Sequence, residues 1–412
     1  MVEYRSHRRV RMGGRDPAEE HRAATPLELL FDLTFVIAFG TAANELAHQL
    51  AEGHFGAALL GFSLATFAIA WAWINFSWFA SAYDTDDWIF RLATMVQMVG
   101  VLVFALGLPD MFASLYEGET VDNRVMVAGY VVMRLALVFQ WLRAARQDPD
   151  RRGACHKYVT TLLVAQAGWI ALAVAETSVA VTFLWVAVLL LVETGGPVLA
   201  ETRHGGTPWH PHHIAERHGL LVIIALGEGL LGTAFALSVL VGPEGPGWSV
   251  EVVVLGLAGT ALTFGMWWIY FILPMGGILE RHRERSFGWG YGHIPLFGAL
   301  AAVGAGLHAA AYYLEHHSVL GTTGTVLTVA IPVALYVVTI CVLYYQLSRV
   351  FDPFHLLLLA GTAVVVLASI GMAAAGTPMV WCLAVLALTP WVTVVGYETV
   401  GYRHGEESVA RL

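Results

Sequence analysis

The sequence predicts an all-α polytopic membrane protein of about 12 transmembrane helices, built as a parallel 6+6 internal repeat. Three observations carry that reading. The first is composition: of 412 residues, 57% are hydrophobic and only 13% are charged, whereas a soluble domain is roughly 25% charged. The second is a series of apolar runs, each of the roughly 20 residues that a helix needs to cross about 30 Å of hydrocarbon. The third is the placement of the arginines. Formal charge is -9, from 31 acids and 22 bases, so the clustered excess base that nucleic acid requires is absent and that class is excluded.

The chain opens with residues 1–26, which hold six arginines and no apolar core. This segment reads as a disordered basic cytoplasmic tail and not as a cleavable signal peptide. Spans follow at about 27–50, 55–80, 90–109, 124–146, 158–176 and 179–201, then at 215–240, 249–274, 289–314, 322–347, 354–375 and 379–401. The turns after the fifth and eleventh, "AETSVA" and "AAGTPM", are short, which leaves ten or eleven spans open. With the N-terminus inside, 20 of the 22 bases fall in inner segments, the others being Arg124 and Arg134. Cytoplasmic loops carry such an excess, so the expected location is a bacterial inner membrane with both termini cytoplasmic. Cys155, Cys341 and Cys382 share no short spacing, and neither a disulfide framework nor a zinc site is expected.

Matched motifs suggest the duplication. "FVIAFG" at 35–40 parallels "VIIALG" at 222–227, "AWAWINF" at 70–76 parallels "GMWWIYF" at 265–271, and "GVLVFALGL" at 100–108 parallels "GALAAVGAGL" at 298–307. "ETRHG" at 201–205 answers Glu398, Thr399 and the "RHG" of 403–405. The expected organisation is therefore a tail (1–26), a first half (27–201), a His-rich cytoplasmic loop (202–214), a second half (215–402) and a tail (403–412). Parallel repeats of this kind occur in several transporter folds, an analogy that assigns no substrate.

The motifs "TPLELLFDLTFVIAF" (25–39), "AERHGLLVIIALGE" (215–228), "WWIYF" (267–271) and "YGHIPLFGALAAVGAGL" (291–307) resemble the bacterial low temperature requirement protein A family. Gly229 stands where such proteins commonly carry Ser, so a hydroxyl beside the preceding acid is missing. The resemblance implies the membrane fold and location and brings no settled activity with it.

Charges inside a membrane cost about 2.5–3.5 kcal/mol each at the centre of a helix, so each needs a partner or an aqueous cavity. Glu228 falls at the midpoint of the seventh span and Arg134 at that of the fourth, and equal depth suggests that they pair. Glu228 is then either half of a packing ion pair, a protonated acid, or a group lining a cavity that exchanges a proton or binds a cation. Glu28 and Asp32 share one face of the first span. Glu28 reads as a dipole-stabilised helix start behind Pro26; Asp32 needs a partner, with Arg91 and Arg217 available. Glu216 and Arg217 sit at the matching end of the seventh span, so these four residues form either a charged cytoplasmic vestibule or interfacial anchors. Glu193 precedes "TGGP", where a broken helix end could bind an ion, and Trp71, Trp73 and Trp78 read as packing or belt residues.

Within "RHGGTPWHPHHIAERH", His210, His212 and His213 are weak metal candidates, since the next pair, His316 and His317, falls on the other side. No GxSxG, HExxH or GxxxxGK[ST] pattern occurs. No cofactor is expected; the expected partners are the lipid bilayer and a small solute, proton or cation. The readings are a secondary transporter with a mid-membrane carboxylate, a non-transporting membrane protein for cold or envelope adaptation or sensing, and a His-rich metal-dependent membrane enzyme.

Overall fold

The computed structural model describes residues 9–20, 22–242, 247–350 and 353–401. Among them are 12 helices long and apolar enough to cross a membrane, and the protein is a membrane protein of all-α class. In order they are Pro26–Ala51, Phe55–Tyr83, Trp88–Glu117, Arg124–Gln147, Pro149–Val174, Val179–Arg203, Pro211–Val241, Val250–Arg281, Arg283–Leu314, Thr322–Ser348, Pro353–Ala374 and Met379–Gly401. The count agrees with the sequence, including the spans on either side of the two short turns.

Their ends differ from expectation where glycine and proline redirect the chain. The third span continues past 109 to Glu117 as two helices, Trp88–Leu106 and Leu108–Glu117, jointed at Gly107 with Pro109 opening the second. The eighth likewise breaks at Pro274 between Val250–Phe271 and Met275–Arg281. The sixth runs as one helix through Glu193, Gly195, Gly196 and Pro197. The broken end expected at "TGGP" is not formed.

The chain packs as two compact units, Met1–Thr41 with Ala68–Arg217 and Ala42–Phe67 with His218–Leu412. Helices in lipid gain no hydrophobic drive from one another and associate through close van der Waals contact, which small residues permit. In the first unit Gly100 and Gly129 let the third and fourth spans meet backbone to backbone: a Cβ on Gly129 would lie 2.2 Å from Phe104 N. Trp141 stacks on Tyr158 with centroids 4.1 Å apart, joining the fourth and fifth spans. In the second unit a Cβ on Gly304 would stand 2.6 Å from the backbone of Glu228, which sets the crossing of the seventh and ninth spans.

The N-terminal segment departs most from expectation. Residues 9–20 form an ordered strap and not a disordered tail; residues 1–8 and 21 lie outside the described residues. Val10 N donates to Asp87 Oδ2 at 3.0 Å, Met12 N to Gln147 Oε1 at 2.6 Å, and Arg15 N to Ala82 O at 2.9 Å. Met12 is fully buried. Main-chain groups that find partners in the folded protein hold a segment that its composition alone would leave solvated.

Candidate functional site

The strap leads into the first charged cluster. Thr25 caps the first span in a reciprocal box: its N and Oγ1 donate to Glu28 Oε2 at 2.8 and 3.0 Å, while Glu28 N donates to Thr25 Oγ1 at 3.3 Å. One turn on, Asp32 lies on the same face. Arg217 of the seventh span reaches both acids, with Nη1 2.7 Å from Glu28 Oε1 and Nη2 2.5 Å from Asp32 Oδ1. His213 Nε2 is 3.1 Å from Glu28 Oε1, and the Trp73 indole donates to Asp32 Oδ1 at 2.7 Å. Glu28, Asp32, His213 and Arg217 are all 0% exposed.

The planar guanidinium explains why arginine occupies position 217: one fork serves two carboxylates that a point-charged lysine could not bridge in the same plane. Of the two partners open to Asp32, Arg217 is the one taken, and Arg91 pairs with Asp86 at 2.8 Å instead. Glu28, read as a simple helix-start acid, is both a cap and half of a buried ion pair. Glu216 is exposed and lies outside the cluster.

Asp84 lies just past the second span, 3.8 Å from Arg22. Burial, and then the charge of Glu28, push its carboxyl up to about 6. The folded protein therefore holds a proton there that the unfolded chain releases, so this contribution to stability fades as pH rises from the ordinary aspartate range through about 6. Asp84→Asn should raise the fluorescence melting temperature in detergent at about pH 7.5 and leave it unchanged near about pH 4. Equal gains at both pH values would contradict the assignment.

A second cluster lies deeper in the same unit. Glu193 accepts from Trp71 Nε1 at 2.7 Å, Tyr130 OH at 3.1 Å, Arg134 Nη2 at 3.2 Å and Trp169 Nε1 at 3.3 Å. Arg134 also bonds the Tyr130 hydroxyl, with its guanidinium carbon 4.4 Å from that ring's centroid. The acid that Arg134 takes is thus Glu193 and not Glu228, because similar depth does not imply a shared helix face. A third acid, Glu201, receives Trp78 Nε1 at 3.0 Å, Tyr158 OH at 2.9 Å and the hydroxyl of Thr207 at 2.6 Å. Trp71 and Trp78 are two turns apart, as are Glu193 and Glu201, so the second and sixth spans meet along a ladder of indole–carboxylate bonds. Tryptophans read as packing residues are therefore also the donors that satisfy buried acids.

Glu228, in the second unit, is different. It is 2% exposed, and its Oε1 has no hydrogen-bond partner among the described residues. Gly229 beside it lets Thr263 approach, since a Cβ there would be 2.7 Å from Thr263 Oγ1. Close packing with the eighth span occupies the place of the hydroxyl whose absence the sequence showed. Elsewhere in this unit His293 sits between the Tyr270 hydroxyl at 3.0 Å and Trp289 O at 2.8 Å, with His218 edge-on at 4.8 Å.

The histidine loop disperses. His213 joins Glu28, His210 Nε2 meets Glu19 O at 2.8 Å with its pKa pushed down by burial, and His212 is exposed. Among the described residues no three His, Cys, Asp or Glu side chains are grouped to hold a metal ion.

Twelve apolar helices with charged clusters sealed between them define a polytopic integral membrane protein whose environment is the lipid bilayer. The family model for the bacterial low temperature requirement A protein (LtrA) matches residues 23–390, and the chain belongs to that family. It is also similar to "Uncharacterized protein RA0937" of Rhizobium meliloti (strain 1021), with 26% identity over 322 residues, which is 75% of this chain and 73% of that protein. No solved structure matches the chain.

Proposed function

We propose that the protein is a secondary transporter of a small solute, coupled to protons through Glu228. The observation that carries this reading is a contrast. Glu28, Asp32, Glu193 and Glu201 are each met by Arg, Trp or Tyr donors, whereas Glu228 is buried at mid-span with no counter-charge among the described residues and with Oε1 unpartnered there. A buried carboxylate in that position is tolerated as the neutral acid or when a cation or water reaches it, and such residues mark ion and proton pathways. The partnered clusters of the first unit then form a rigid scaffold. The hollows of about 380 and 610 Å³ in the second unit are lined almost wholly by apolar side chains and do not include Glu228. This conformation encloses the acid.

The reading includes a duplicated architecture, an inner-membrane location and cytoplasmic termini. Two parallels support the duplication. Gly107 and Gly306, equivalent in the aligned motifs, each abut the backbone of the following span, where a Cβ would lie 2.3 Å from Met126 N and 2.4 Å from Thr328 O. A tryptophan of the second span bonds a glutamate ending the sixth, Trp78 to Glu201 at 3.0 Å, and Trp268 of the eighth bonds Glu398 ending the twelfth, also at 3.0 Å. The arginine distribution supports the orientation.

The test uses proteoliposomes under an imposed pH gradient and a panel of labelled small solutes. Glu228→Gln should abolish the gradient-dependent part of uptake while the melting temperature stays within a few degrees of the parent, since the amide is isosteric. Gradient dependence that survives in the variant removes Glu228 from the coupling. No gradient-dependent uptake or proton flux with the parent protein would favour the non-transporting reading, in which these charges serve packing alone.

A further inference from the structure

The docked strap creates a feature that neither the strap nor the helices have alone. The Val10 peptide is gripped at both ends by one ion pair: its N–H donates to Asp87, and its carbonyl accepts from Arg143 Nη2 at 2.9 Å, while Arg143 and Asp87 bond each other. Burial works against the Asp87 carboxylate, but the bonds from Arg143 and from the N–H groups of Phe90 and Val10 outweigh it and hold its pKa below the usual range. The next residues are fixed on Gln147, whose side chain takes Met12 N and whose carbonyl takes Arg11 Nε at 3.1 Å. In an irregular segment held in this way Arg9 and Arg11 flank the pinned Val10, and Arg146 from the end of the fourth span comes up beside them.

The three arginines, with Val10 and Gln147, border an open hollow of about 450 Å³. All three are exposed, and among the described residues no carboxylate lines the hollow. Arg9 and Arg146 have no hydrogen-bond or ion-pair partner among the described residues, and Arg11 has only the bond from its Nε. Three described acids of this unit are already committed: Asp87 to Arg143, Glu19 to Arg15, and Asp148 to the Tyr83 hydroxyl at 3.1 Å and to Arg151 at 4.0 Å. Three guanidinium groups with no carboxylate partner among the described residues gather at the end of a membrane span, where a bilayer's headgroups begin. Arg124–Gln147, at 24 residues, is about 36 Å long, against about 30 Å of hydrocarbon.

We propose that this hollow binds the phosphate of an anionic phospholipid headgroup, which clamps residues 9–11 of the strap against the end of the fourth span. Arginine forks match phosphate oxygens bidentately, and juxtamembrane basic clusters attract anionic lipid. The surrounding bilayer supplies the ligand at high local concentration. The clamp holds the segment that leads directly into the Thr25–Glu28 cap, so lipid composition is coupled to the order of that end of the first unit.

The full-length protein in detergent is titrated with short-chain phosphatidylglycerol, with phosphatidylcholine of the same chain length, and with inorganic phosphate. Binding is read by native mass spectrometry, and hydrogen exchange is followed at Val10, Met12 and Arg15. Phosphatidylglycerol should be retained and should slow exchange of these amides, and phosphatidylcholine should do neither. The combined variant Arg9→Gln, Arg11→Gln, Arg146→Gln should weaken phosphatidylglycerol binding on the order of a hundredfold, given the contribution of each basic residue near an anionic surface. Arg9→Gln alone, which removes no bond to the other described residues, should give a weakening of several-fold and keeps the test valid if the combined variant does not fold. Equal retention of both lipids, or unchanged phosphatidylglycerol binding in the variants, overturns the proposal. Equal protection by inorganic phosphate would assign the hollow to free phosphate and overturn the lipid clamp.

Discussion

Arg217→Gln is expected to prevent accumulation of folded protein in the membrane. The substitution leaves Glu28 and Asp32, both 0% exposed, without the cation that bridges them at 2.7 and 2.5 Å. Removing one member of a buried ion pair typically costs about 3–5 kcal/mol, because the remaining charge stays desolvated, and here two carboxylates are stranded by one change. Against a total stability of about 5–15 kcal/mol for a typical domain, that is enough to unfold a marginal protein. Arg217→Lys should recover only part of the loss, since an ammonium group cannot present two parallel N–H vectors to two acids. The diagnostic result is rescue: combining Arg217→Met with Glu28→Gln and Asp32→Asn should restore much of the yield, measured as the monodisperse fraction on size exclusion in detergent. A single Arg217→Gln variant as abundant and as stable as the parent would show that the cluster contributes nothing to folding.

Glu193→Leu is expected to be nearly as damaging. It removes the acceptor for two indoles, a phenol and a guanidinium at once, and leaves Arg134, 2% exposed, with no acid partner among the described residues. The expected loss is again on the order of 3–5 kcal/mol for the orphaned charge, with further loss from the unsatisfied indoles. The effect should be strongly non-additive with Arg134→Met, because neutralising the cation removes the main penalty. A double-mutant cycle on melting temperatures measures this, and strictly additive shifts would contradict the pairing. Asp87 gives a further contrast, since the bonds that lower its pKa persist at neutral pH and the strap contacts should loosen only in acid, as the pH falls through that lowered value.

Much of the site was legible as a list of residues and little of it as a set of pairs. Depth along a helix can be read from the residue number at 1.5 Å per step, which puts Glu228 and Arg134 near the middle of their spans. Which face a residue presents, and to which neighbour, depends on how helices are arranged around one another. Arg134 therefore turned out to meet Glu193, an acid that the sequence had marked only for its neighbouring glycines. The Thr25–Glu28 cap carries a local signal, a threonine three residues before a glutamate ahead of an apolar run, and could have been read directly. The two-turn spacing shared by Trp71 with Trp78 and by Glu193 with Glu201 was also present as a signal. It acquires meaning only once the second and sixth spans are known to be neighbours.

Composition and periodicity by themselves determined that this chain is an all-α membrane protein of about 12 spans, with ten or eleven left open until the structure showed 12 among the described residues, because each backbone polar group in lipid must be satisfied within its own helix. That requirement acts locally and leaves its mark as an apolar run. Only the tertiary structure decided that Arg217 joins Glu28 to Asp32, that residues 9–20 are docked, and that Oε1 of Glu228 is left without a partner among the described residues. These outcomes depend on side chains up to 189 positions apart, brought together by helix packing whose contacts are set by shape, and no run of neighbouring residues encodes them.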